Sequence, residues 1–144
     1  MAIRENISEN NIIFSDIFVI SGDGTSSGTI IDTSEWDLGT GIYISAPIYT
    51  DGTYTVTLVE GDDSGLADGQ TVPDDKLAVV DGLNAIDPGF SAVTVPGDKL
   101  FKVGVTSNKQ YLRVDVNATA VTTGATVLTY ILAKTENRPA DIDQ

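Results

Sequence analysis

The chain has 144 residues, enough for one domain with a core that buries roughly two-thirds of the unfolded surface. Its 21 acids against 8 bases give a net charge of −13, which leaves little positive charge to displace counterions from nucleic acid. It has no cysteine and no histidine, so disulfides, thiolate metal sites and the commonest general base are excluded.

No apolar run approaches the ~20 residues of a membrane span. The opening segment, MAIRENISEN, carries acids where a signal peptide has a basic head and an apolar stretch, so synthesis in the cytoplasm is expected. Thr, Val and Ile recur in short runs cut by turn residues, and no segment keeps a helical period over about ten residues.

In chain order, Ile12 to Ile20 is the first predicted strand, with Ile12, Phe14, Phe18 and Ile20 on one face and Asp16 among them. The polar stretch SGDGTSSG reads as a loop. Thr29 to Asp32 is a short strand, and Glu35 to Gly41 is a loop carrying the only tryptophan, Trp36. Ile42, Ile44 and Ala46 alternate with Tyr43 and Ser45, and Pro47 limits ladder bonding at that strand's end. Thr50-Asp51-Gly52-Thr53 is a turn of the Asp-Gly kind. It leads into a strand with Tyr54, Val56 and Leu58 on one face and Thr53, Thr55 and Thr57 on the other.

From Gly61 to Gly97 the pattern weakens, interrupted by Pro73, Pro88 and Pro96; Lys76 to Val80 and Ser91 to Val95 are short strand candidates. Leu100 to Val105 is a strand. Gln110 to Ala118 follows, with Leu112, Val114 and Val116 opposed to Tyr111, Arg113 and Asp115. Thr126 to Ala133 closes the series and is apolar on both faces, with Val127 and Ile131 opposed to Leu128, Tyr130 and Leu132. About eight strands without helices predict an all-β, antiparallel, jelly-roll-like β-sandwich. Residues 1–144 are read as a single domain with short flexible tails.

Candidate chemistry is sparse. Glu60, Asp62, Asp63 and Asp68 lie in an acidic, glycine-punctuated stretch, EGDDSGLADG, which lacks the ligand offsets of a calcium loop and reads as a solvated turn. Asp32, Glu35 and Asp37 flank Trp36, but an acidic chain always offers some close carboxylate pair. SGDGTSSG has neither the lysine nor the following helix of a phosphate cradle. The Asn117 sequon lies in a predicted strand. The expectation is a non-enzyme with no cofactor and no metal. Such a module suits a structural subunit or, alternatively, a carbohydrate- or receptor-binding module of a phage tail, with Trp36 or tyrosines as a sugar platform.

The order of NNIIFSD, SGDGTSSGTIID, DLGTGIYI, TYTVTLVEGDDSG and KQYLRVDVNATAVTTGATVLTYILAKTENRP resembles the capsid cement, or decoration, proteins of short-tailed double-stranded DNA phages. The resemblance spans about residues 12 to 138. The family pattern carries Arg before the tyrosine, where this chain has Gln110-Tyr111. It implies a jelly-roll sandwich on the exterior of the virion capsid, clamping neighbouring copies of the major capsid protein, without catalysis and without nucleic acid or membrane partners. It also implies a small homo-oligomer, with a homodimer favoured over a homotrimer; the two-sided last strand points the same way. Trp36, Asp62, Asp63, Asp68 and Tyr130 are the expected partner contacts.

Overall fold

The computed structural model describes residues 13–34, 40–81, 84–85 and 100–134. These residues form eleven strands: β1 Ile13–Ile20, β2 Gly24–Ser27, β3 Ile31–Asp32, β4 Thr40–Ile48, β5 Thr53–Gly61, β6 Gln70–Thr71, β7 Leu77–Asp81, β8 Asn84–Ala85, β9 Leu100–Val105, β10 Tyr111–Thr119 and β11 Thr126–Lys134. Eight of them have four residues or more, while β3, β6 and β8 are two-residue bridges. A 3₁₀ turn, Asp74–Lys76, precedes β7.

The strands build two antiparallel sheets. One runs β1-β11-β4-β9-β7-β8, and the other runs β2-β10-β5-β6 with β3 beside β10. The pairing is nested: the first strand meets the last, β2 and β3 meet the next to last, and β4 meets β9. That nesting, shared between two facing sheets, is the double Greek key of a jelly roll. The β7–β8 ribbon extends the first sheet beyond β9.

Alternation decides which side chains enter. On β5, Tyr54, Val56 and Leu58 are buried between half-exposed Thr53, Thr55 and Thr57; on β10, Leu112, Val114, Val116 and Ala118 are buried. Ile42, Ile44, Ala46, Leu128, Tyr130 and Leu132 answer them from the other sheet. Pro47 lies past the last residue of β4 that pairs with β9, where the β4–β11 register also shifts. The strand thus keeps its proline where the ladder is already interrupted.

Turn chemistry closes one end. Asp51 Oδ2 accepts the amides of Thr122 and Thr123, both at 3.0 Å, and their hydroxyls, joining the β4–β5 turn to the β10–β11 turn. Gly52 adopts a φ of +92°, which side-chain-bearing residues rarely adopt.

One segment departs from its reading. SGDGTSSG is not wholly a loop: Gly24–Ser27 pairs with Asp115–Ala118 of β10. This strand is largely exposed, so it shows none of the apolar alternation by which strands are recognised, and its backbone ladder alone defines it. The candidate strand Ser91 to Val95 and the loop bearing Glu35, Trp36 and Asp37 lie outside the described residues, as do the two tails.

Candidate interaction surface

The acidic stretch after β5 folds back on itself, and its carboxylates serve its own backbone. Asp68 accepts the amides of Asp62 at 2.9 Å and Asp63 at 3.0 Å. Asp63 Oδ1 accepts Gly65 N at 2.8 Å and Ala67 N at 3.2 Å. Leu66, at a positive φ of 55°, is buried against the turn, and Lys109 Nζ approaches Asp62 Oδ2 at 2.5 Å. The amides of Asp62 and Asp63, with the Lys109 charge behind them, hold the Asp68 carboxyl below its usual range. The same contact with Asp62 raises the Lys109 ammonium. Asp62, Asp63 and Asp68 are therefore brought together, but as the caps of a closed turn. Among the described residues no group of three or more potential ligands is placed to hold a metal.

Glu60 does not join them. It shares the inward parity of Tyr54, Val56 and Leu58, and its side chain is fully buried. There it pairs with Lys76 Nζ at 3.4 Å and accepts the Ser107 hydroxyl. Ser107 Oγ in turn accepts the Lys109 amide at 3.0 Å, and the Lys76 carbonyl accepts the Thr106 amide at 2.9 Å. Glu60 thus ties the β5 end to the 3₁₀ turn and to the β9–β10 connection. The strict alternation from Tyr54 onward was the signal that placed it inside.

Tyr130 requires a correction. It is not a partner contact, because it is fully buried, with Phe18 stacked on it at 5.5 Å and Phe14 at 6.3 Å. Its hydroxyl donates to Asp16 Oδ2 at 3.4 Å, and burial followed by the Asp16 charge pushes the phenol above its usual range. Asp16 also accepts Thr29 Oγ1 and the Ile17 amide; the Ile17 amide is the largest influence lowering its carboxyl. Trp36 lies outside the described residues.

The residues that do face outward on β11 are its odd-numbered ones. Ile131 is 42% exposed, and on the neighbouring strands Ile17, Val19 and Ile48 are 55%, 66% and 57% exposed. The register sets Val19 beside Val127 and Val127 beside Ile48; one step along, Ile17 lies beside Thr129 and Thr129 beside Ser45; next, Ser15 lies beside Ile131 and Ile131 beside Tyr43. No position in this block of β1, β11 and β4 is charged. Its central hydroxyls, Ser45 and Thr129, bond to one another at 3.1 Å. The outer face of the opposite sheet differs: there Arg113 grips Asp115 through two bonds of 2.8 Å among threonines.

The other exposed large apolar residue, Tyr49, donates its hydroxyl to the Gly52 carbonyl and meets buried Tyr54 edge-on at 78°. Apart from Tyr49, then, the exposed large apolar residues among those described are aliphatic and gathered on one sheet face. No helix among them is long and apolar enough to cross a membrane.

No family model matches the chain, and no curated protein matches it. Among solved structures, the SPBc2 prophage-derived protein YomS is similar over 85% of this chain and 95% of its own, at 12% identity and a TM-score of 0.45.

Proposed function

We propose that this protein is a structural virion component, a decoration protein that binds the outer surface of a phage head and clamps neighbouring shell subunits. The observation that carries the reading is the aliphatic, uncharged face of β1, β11 and β4 on a chain of net charge −13. Contiguous exposed aliphatic surface is suited to a protein partner. A sugar platform uses exposed flat rings, whereas the exposed ring described here, Tyr49, is held edge-on to its neighbour. The resemblance of NNIIFSD, DLGTGIYI and QYLRVDVNATAVTTG to the cement proteins supports the same reading.

The role asks for no catalysis. A packaged genome presses its shell outward, and a protein that binds the expanded lattice better than its precursor stabilises it by differential affinity. Repeated identical contacts add avidity where a clamp spans two subunits. The acidic remainder of the surface suits lysines and arginines on the shell. Exposed charge pairs are screened over ~8–10 Å at physiological salt, so binding weakens partially as salt rises.

The test adds purified protein to capsids that lack it and reads bound copies and shell melting temperature at low and high salt. Bound copies with a raised melting temperature are expected. Capsids that bind none, or that bind it with no gain in stability, would overturn the proposal and leave the tail-borne sugar- or receptor-binding module.

A further inference from the structure

We propose that the outer edge of β2 is a separate docking surface, which takes an extended, lysine- or arginine-bearing polypeptide segment as an added strand. It lies apart from the β1–β11–β4 face and is tested without capsids, so either reading can fail and leave the other standing.

The backbone specifies what fits. The Gly28 amide donates to the Val114 carbonyl at 2.8 Å. From there the register sets Ser27 beside Asp115, Ser26 beside Val116, Thr25 beside Asn117 and Gly24 beside Ala118. In an antiparallel ladder, the residues that bond to a given neighbour alternate. Gly24, Ser26 and Gly28 therefore bond toward β10, and the amides and carbonyls of Thr25 and Ser27 point away from the sheet. Among the described residues β2 ends its sheet, and no group pairs with that side. Donors and acceptors alternating in that order are the template for another strand.

The edge is open as well as unpaired. Thr25 and Ser27 are exposed, and a Cβ added at Gly22 or Gly24 meets no described atom within 4 Å. The strand GTSS holds neither a charge nor a proline. The edge strand of the other sheet differs: Asp16 sits within β1, and its Oδ1 takes the Ile17 amide at 2.8 Å. Such a charge guards an edge, and β2 has none.

Charge selects the occupant. No Lys or Arg occurs between Arg4 and Lys76. Exposed Asp23 directly precedes β2, and exposed Asp32 closes β3. No described cation pairs with either carboxylate; Lys109 and Arg113, before and within β10, are held by Asp62 and Asp115. A cationic strand therefore meets acids at both ends of this edge. A second copy of the chain would set its own acids against them, with only a four-residue ladder to offset the repulsion. So short a strand is a weak grip, with dissociation at about 0.1–1 mM for a free peptide.

The experiment titrates the isotope-labelled full chain with the peptide acetyl-KTVTVK-amide and reads amide chemical shifts at about 0.05 and about 0.5 M salt. Saturable shifts at Thr25 and Ser27, severalfold weaker at high salt, are expected. ETVTVE reverses the charge on the same backbone and should bind at least about tenfold more weakly. KPPPPK keeps the lysines but has no amide donor between them, and should bind more weakly by a similar factor. Ser27→Pro removes an outward amide without removing a bond to β10. It should weaken KTVTVK by at least about tenfold with little change in melting temperature. Asp23→Asn retains an oxygen for the Val121 amide and should weaken KTVTVK severalfold while leaving ETVTVE no weaker. The proposal is overturned by the absence of saturable shifts up to about 5 mM, by shifts confined to other strands, or by binding indifferent to Ser27→Pro or to the prolines of KPPPPK. Movement of the Thr25 and Ser27 amides when the protein alone is concentrated would assign the edge to another copy and overturn it as well.

Discussion

The Glu60–Lys76 pair should respond unequally to removal of its two ends. Glu60 is fully buried, whereas the Lys76 side chain is 31% exposed. Glu60→Gln keeps an oxygen for the Ser107 hydroxyl and leaves an ammonium that water reaches, so its loss is that of an ordinary charged hydrogen bond, ~1–2 kcal/mol. Lys76→Met leaves a carboxylate inside the sandwich with Ser107 as its remaining side-chain partner. Breaking a buried pair in that direction costs ~3–5 kcal/mol. For a chain of this size the melting temperature should fall by about 3–8 °C in the first case and about 10–18 °C in the second.

The double variant separates this account from a mere sum of damage. Once the carboxylate is neutral, losing the lysine costs little more, so the pair of changes should lie close to Glu60→Gln alone. Thermal and urea melts of the three variants give the comparison. A Glu60→Gln loss equal to or larger than that of Lys76→Met, or an additive double variant, would refute the reasoning.

Further expectations follow from the same contacts. In Gly28→Ala, the new Cβ would lie 2.6 Å from the Tyr130 hydroxyl and 2.8 Å from the Val114 carbonyl; the melt should show a loss of ~1–3 kcal/mol, and an unchanged melting temperature would contradict the packing. The carboxyls of Asp16, Asp51 and Asp68 are held below their usual range by amides and hydroxyls. Their contribution is therefore complete above the unfolded value of ~3.9 and is lost as pH falls through the folded values, so melting temperature should drop below about pH 4; a flat profile to about pH 2 would contradict this. Because Asp63 and Asp68 bond to backbone amides, melts with and without EDTA should coincide, and a shift of several degrees would reveal a cation.

Much of the sandwich is legible in the sequence because its long strands are buried on one face. Leu112, Val114 and Val116 alternate without interruption, and so do Tyr54, Val56 and Leu58; a period of two needs no knowledge of partners. Gly24–Ser27 offers no such period, because an exposed strand of small residues is defined by its ladder to β10, which is information from about 90 residues away. Tyr130 misleads for a related reason. On a strand apolar on both faces, composition cannot say which face meets the core, and the tilted stack with Phe14 and Phe18 settles it in favour of the even residues. The acidic loop is legible as a turn, but the division of labour within it is not. Asp68 reaches back six residues to the Asp62 amide, a contact made by the folded turn and not by local spacing.

The position of Asp16 joins the interior to the exposed face. An edge strand beside an aliphatic surface is an invitation to indefinite pairing, because each added copy exposes a new edge. Asp16 lies within β1 and turns inward, where the Tyr130 and Thr29 hydroxyls and the Ile17 amide hold it as a carboxylate. It occupies a backbone donor of the edge and sets a charge beside it, while Ile17 and Val19 stay exposed on the outer face. The same hydrogen-bond network that holds the Tyr130 hydroxyl therefore guards the β1 edge against the addition of further strands. Asp16→Ala tests this link directly: it should destabilise the core around Tyr130 and, in the folded fraction, increase the tendency to form higher assemblies in light scattering at high salt. A variant that loses stability but remains no more associated than wild type would limit Asp16 to its role in the core.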